Sequence, residues 1–127
     1  MKALTIFQPY AELIMRGDKP VENRRWYRHY RGPLLIHAGK SRDWLSTFDP
    51  LPDRMDFGAI VGVANIIDWL IPRDVRMLYP AIADNEHIEG PWCIVLDSPR
   101  RLANPIPYRG QQGLFNVPDA VMKNEKH

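Results

Sequence analysis

The residue run Gly17-Asp18-Lys19-Pro20-Val21-Glu22-Asn23-Arg24 places an ammonium, a carboxylate and a guanidinium within six positions. If the segment after Pro20 is extended, Glu22 and Arg24 point to the same side, because strand side chains alternate with period two. Lys19, in the turn before it, then reaches the same spot. Such a trio offers a cationic head, a carboxylate acceptor and a planar donor fork. It is equally the composition of a surface ion-pair network, worth about 0–1 kcal/mol per pair.

The next window interleaves Trp26, Tyr27 and Tyr30 with Arg24, Arg25, Arg28 and Arg31. Rings alternating with arginines suit base stacking and phosphate contact. The same pattern arises when rings enter a core and arginine stems run out to water. His37 and Lys40 follow an apolar run, Leu34 to Ile36. A histidine at a strand exit is either a general base near neutral pH or a hydrogen-bonded packing residue. Further on, Pro105-Ile106-Pro107-Tyr108-Arg109-Gly110-Gln111-Gln112-Gly113 combines close-approach glycines with the donors Arg109, Gln111 and Gln112. Phosphate-loop, dinucleotide, nucleophile-elbow and zinc-protease signatures are missing from the sequence. Four scattered histidines have no metal-ligand spacing, and Cys93 stands alone, so no metal or cofactor is expected. Cys93 itself, between Trp92 and Ile94, reads as a small core residue.

The elements that must position these groups are short. Twelve prolines spread over 127 residues leave no room for a long helix. Ala3 to Phe7 reads as a first strand. A two-turn helix follows Pro9, with Tyr10, Leu13 and Ile14 on one stripe and Gly17 as its left-handed stop. Val21 to Trp26 reads as a strand at the edge of a cavity, and Pro33 to Ala38 as a buried strand. Ser41 is placed to cap a short helix through Phe48. Gly58 to Leu70 reads as the longest strand, with a bulge at Gly62. Arg73 to Ala83 reads as helical, Trp92 to Leu96 as buried strand, Leu102 to Pro107 as an edge segment, and Leu114 to Val117 as a last strand. Five or six short strands with two or three short helices suggest a small closed or half-closed sheet, an α+β fold.

Composition bounds the rest. Apolar residues are 45%, and the chain is long enough to bury roughly two thirds of its unfolded surface. The net charge of +2 hides basic windows at 1–42 and 99–127 around an acidic middle. Should the two basic windows meet, they form one positive face. The longest apolar stretch, Ala59 to Ile71, is too short for a bilayer, and no signal-peptide run follows Lys2, so the expected setting is cytoplasmic. The domain is expected over 1–122, with a mobile tail at 123–127.

In order along almost the whole chain, Leu4 to Ala11, the Gly17-x-Lys19-x-x-Glu22-x-Arg24 pattern, Tyr30 to Ala38, Gly90-Pro91-Trp92 and Pro105 to Phe115 resemble the ASCH domains of the PUA-like superfamily. The resemblance implies a small β-barrel flanked by helices, with a cleft suited to a nucleotide or nucleic acid strand. It implies Lys19, Glu22 and Arg24 as cleft residues and adds Gln8, Trp26, His37 and Trp92 as further candidates. Members of that superfamily include RNA-binding modules, metal-independent ribonucleases and an amidohydrolase acting on acetylated cytidine. That amidohydrolase uses a lysine and a threonine of this motif; Glu22 stands in the threonine's place.

Three readings follow. In the first, the chain binds RNA or single-stranded DNA, with Trp26 or Trp92 stacking a base, Glu22 accepting from its edge, and Lys19, Arg24, Lys40 and Arg109 among the polar contacts. In the second, it is a metal-independent ribonuclease or nucleoside amidohydrolase, with Lys19 stabilising negative charge and Glu22 or His37 moving a proton. In the third, it is an interaction domain that presents Trp44, Trp69 and the acidic middle to a protein partner.

Overall fold

The computed structural model describes residues 1–123; the expectation of a mobile tail falls mostly on residues outside this range. Six strands form one sheet: β1 (Lys2–Ile6), β2 (Val21–Arg24), β3 (Gly32–Ala38), β4 (Ala59–Leu70), β5 (Trp92–Pro107) and β6 (Phe115–Asn116). Three short helices accompany them: α1 (Tyr10–Met15), α2 (Pro72–Leu78) and α3 (Asp119–Met122). The strand order is β2-β5-β4-β3-β1-β6, with β1 and β3 parallel and the other pairs antiparallel. Parallel neighbours need a crossover, and α1 together with β2 supplies it.

The sheet curls into a half-closed barrel. Its end strand β2 returns towards β1, and the Arg24 guanidinium bridges the gap: Nη2 donates to the Thr5 main-chain oxygen at 2.9 Å. That oxygen is open because β6 pairs with β1 only at Lys2 and Ala3. A side chain, rather than a ladder, joins the two edges.

Both faces of the central strands are covered, which explains the unbroken apolar run in β3. Leu34 and Ile36 join the barrel interior with Leu4, Ile14, Ile94 and Trp69. Leu35 faces the other way, onto Ile60, Leu102 and Phe115. A third cluster gathers Val21, Val75, Cys93 and Val95 beneath α2, so Cys93 is a core residue, as its sequence setting suggests.

Three element expectations change. The segments 92–96 and 102–107 belong to one strand, β5, which bends where Ser98 takes a positive φ of 51°. Its second half still pairs only with β4, so Pro105 and Pro107 occupy positions where a missing donor breaks no second ladder. The 41–48 segment contains only a 3-10 turn, Leu45–Thr47. The strand expected through Trp26 stops at Arg24. Gly17 does end α1 with φ +82°. Of three register irregularities between β4 and β5, one falls at the expected place, between Ile60 and Gly62.

Candidate functional site

The gap between β1 and β2 opens into a cleft of about 1140 Å³. On its floor, β2 does what period-two alternation requires. Val21 turns into the core beneath α2, while Glu22 and Arg24 turn into the cleft. Glu22 stands at the centre. Its Oε1 accepts from Lys19 Nζ at 2.8 Å, and its Oε2 accepts from Arg24 Nη2 at 2.8 Å and Nε at 3.1 Å. Lys19 Nζ also donates to the Val21 main-chain oxygen at 2.6 Å and lies 5.8 Å from the centre of the Tyr10 ring.

This is a buried network rather than a surface one: the Lys19 and Glu22 side chains are 5% and 11% exposed. Burial pushes the Glu22 carboxyl up, but the adjacent charges of Lys19 and Arg24 and the hydrogen bonds from both pull harder. The carboxyl ends below its ordinary value of 4.5, so it is ionised at neutral pH. The trio is thus a fixed acceptor flanked by fixed donors, and Arg24 Nη1 makes no hydrogen bond with the described residues.

One end of the cleft is ring-lined, by Tyr10, Phe48, His87 and the exposed Trp44. Tyr10 is tied to Thr47 through its hydroxyl at 2.6 Å and meets His87 edge-on at 6.2 Å. The lining also includes Arg25, Trp26 and the Gln111–Gly113 turn, which approaches β1 through Gln111 N donating to Thr5 Oγ1 at 3.3 Å. Arg25 is exposed and has no ion pair among the described residues. Arg28 covers the Trp26 ring at 4.9 Å.

The remaining sequence candidates sit elsewhere. Gln8 is buried and structural: its Oε1 accepts from Glu12 N and its Nε2 donates to the Asp56 main-chain oxygen. His37 is 1% exposed and outside the cleft lining. Its Nε2 donates to the Tyr108 main-chain oxygen, which leaves Nδ1 to accept from Thr5 Oγ1 at 3.1 Å. Burial lowers its pKa, partly offset by the Tyr108 contact. Trp92 packs on Tyr27 at 4.8 Å, and Lys40 and Arg109 are exposed; none of the three lines the cleft. Trp69, which the interaction reading needed on the surface, is 2% exposed and donates its indole N–H to the Tyr30 main-chain oxygen. The two basic windows do not simply add, since Arg101 is drawn into a two-pronged pair with buried Glu12.

Sequence reasoning missed Tyr10, Phe48 and His87 as cleft residues, together with Glu86 and Glu89 beside them. In the sequence Tyr10 belongs to a helix stripe and to the Leu4–Ala11 segment, neither of which marks it as a cleft ring. No pattern marks the loop that carries His87. No helix among the described residues is long and apolar enough to cross a membrane.

A half-closed six-stranded barrel whose edge strand lines a ligand-sized cleft with fixed donors and acceptors defines a small PUA-like α+β domain. The sequence profile of the ASCH domain matches residues 4–106, and the chain belongs to that family, a PUA-like group associated with nucleic acids. A crystal structure of an ASCH protein from Zymomonas mobilis is similar in fold, with a TM-score of 0.61 and 15% identity, covering 96% of this chain and 90% of that one. A point mutant of the same protein gives 0.64 and 14%, covering 98% of both chains. Activating signal cointegrator 1 from Homo sapiens and from Mus musculus are each 24% identical over 137 residues, or 97% of this chain. The chain spans 23% of the length of those curated relatives.

Proposed function

We propose that the cleft binds single-stranded nucleic acid, RNA or DNA, with a base against the rings and the backbone passing Arg25. The observation that carries this reading is the buried Lys19–Glu22–Arg24 network on the floor of a ring-walled cleft. Glu22 favours a base edge that offers a donor, as guanine and cytosine do. The cleft volume of about 1140 Å³ exceeds the roughly 300–1,000 Å³ common for small-molecule pockets, which favours a strand over a free nucleoside. We also assign this binding to the cytoplasm.

Charge sets the expected strength. The cleft cations Lys19, Arg24 and Arg25 are balanced by Glu22, Glu86 and Glu89. Phosphate attraction therefore rests on few contacts, chiefly Arg25 with Arg28 nearby. Binding of a fluorescent single-stranded RNA should weaken with salt at a log–log slope of about −0.7 per phosphate contact, one or two contacts in all. A flat salt response, or equal binding by a double-stranded competitor, counts against the reading.

Turnover is the second reading, favoured by one observation: a buried ammonium touching a carboxylate is a pair able to stabilise charge and shuttle a proton. Both Glu22 oxygens are already engaged, which suits holding better than proton transfer. The expected result is binding without cleavage when RNA is incubated with the protein in EDTA. Cleavage abolished by both Lys19→Ala and Glu22→Ala would replace binding with catalysis.

A further inference from the structure

Two histidines are buried among the described residues, and they differ in what their rings have to do. His37 has both ring nitrogens in hydrogen bonds. His87 is 9% exposed and lines the cleft, yet neither ring nitrogen makes a hydrogen bond with the described residues. The nearest carboxylate, Glu86 Oε1, is 3.7 Å from Nε2, beyond hydrogen-bond distance. No fully buried side-chain nitrogen or oxygen among the described residues lacks a partner, so the unbonded nitrogens of this ring are open to solvent, and the ring lines the cleft.

The ring is also held firmly. It stacks on Phe48 at 6.2 Å with the planes 29° apart and meets Tyr10 edge-on. Its main-chain oxygen accepts from Asn23 Nδ2 at 2.8 Å, and its main-chain N–H donates to Asn85 Oδ1 at 2.9 Å. Asn23 Oδ1 accepts further from Glu89 N and Gly90 N. Asn85 in turn donates to the Asp18 main-chain oxygen at 3.1 Å. The strand that sends Glu22 and Arg24 into the cleft from one face thus latches the histidine loop with its other face. That degree of positioning suits a recognition contact.

We infer that His87 is a specificity-determining residue that hydrogen-bonds the polar edge of a nucleobase inserted at the ring-lined end of the cleft. This rests on the nucleic-acid reading of the same cleft. The ring works in its neutral form, one nitrogen donating and the other accepting, so it complements Glu22, which only accepts, and Lys19 and Arg24, which only donate. Burial first, then the charge of Lys19, disfavour its protonation; Glu86, Glu89 and Asp18 act the other way and are outweighed. Tyr10 and Phe48 supply the stacking faces.

The experiment is an imidazole nitrogen–proton NMR titration of the full chain with each of the four ribonucleoside 5′-monophosphates and a mixed-sequence single-stranded RNA octamer. The His87 ring signals should move on saturation while those of His37 stay. In parallel, His87→Phe, which keeps a ring but no nitrogen, should weaken binding of the octamer roughly 5–10-fold, and His87→Gln should recover most of it. If backbone signals of Glu22 and Trp26 shift while His87 does not, or if His87→Phe binds as well as the parent, the inference is wrong and the cleft reading stands. If no probe shifts any cleft signal, both fall.

Discussion

Glu22 carries two cations on one carboxylate, so its removal leaves Lys19 buried beside nothing of opposite charge. Losing one partner of a buried pair costs about 3–5 kcal/mol. Glu22→Ala should therefore lower urea stability by about 3 kcal/mol, given the partial exposure of Arg24. Arg25, two positions beyond Asn23, is the contrasting case. It is exposed and has no ion pair among the described residues, so Arg25→Ala should change stability by less than about 0.5 kcal/mol. The same change should flatten the salt dependence of RNA binding by about 0.7 in slope. A residue that moves the salt slope without moving the melt belongs to the ligand rather than the fold. The Glu22–Arg24 side was readable from spacing, because alternation is a local property of an extended chain. His87 was not. Its value comes from Asn23, sixty-four positions away in sequence, and no local pattern records that bond.

Between residues and the whole lie the turn and the loop that frame the cleft. Gly17 ends α1 at φ +82°, and a Cβ added there meets nothing within 4 Å. Only backbone strain opposes substitution, so Gly17→Ala should cost about 1 kcal/mol and Gly17→Asn less, read from thermal melts. Asn23 latches the 85–91 loop with bonds to His87, Glu89 and Gly90. Asn23→Ala should speed hydrogen exchange at the Glu89 and Gly90 amides well before the core strands respond. Protection unchanged at those two amides would mean that the loop is held by its other contacts. The turn was legible because glycine after a helical stripe has one common physical use. The continuous β5 was not, because Ser98-Pro99 looks like a break while the β4 ladder carries the strand through it.

For the molecule as a whole, acid should act early. Both buried histidines have pKa values below their ordinary 6.5, principally through burial. Below pH 6.5 the unfolded chain therefore binds more protons than the fold, and stability falls as pH drops through that value. Glu22, held below 4.5, keeps its contribution above that pH and loses it as pH falls further, through its lowered folded value. Melting temperature should be level from pH 8 to 7 and decline below about 6.5, ahead of any carboxylate titration. His37→Gln should reduce that first decline. A melting temperature constant from pH 7 down to 5 would show that the histidines titrate alike in both states.

The sequence by itself determined the local pieces: short strands and helices, a helix stop at Gly17, and a carboxylate and guanidinium on one face of β2. Backbone preference and side-chain alternation act over a few residues, so they are written where they operate. Only the tertiary structure decided that the sheet stays half open, that Arg24 spans the opening to Thr5, and that His87 rather than His37 faces the cleft. Those outcomes depend on contacts between segments 19 to 71 residues apart in the chain, where burial and hydrogen-bond satisfaction are settled by what folds alongside rather than by what lies next in sequence.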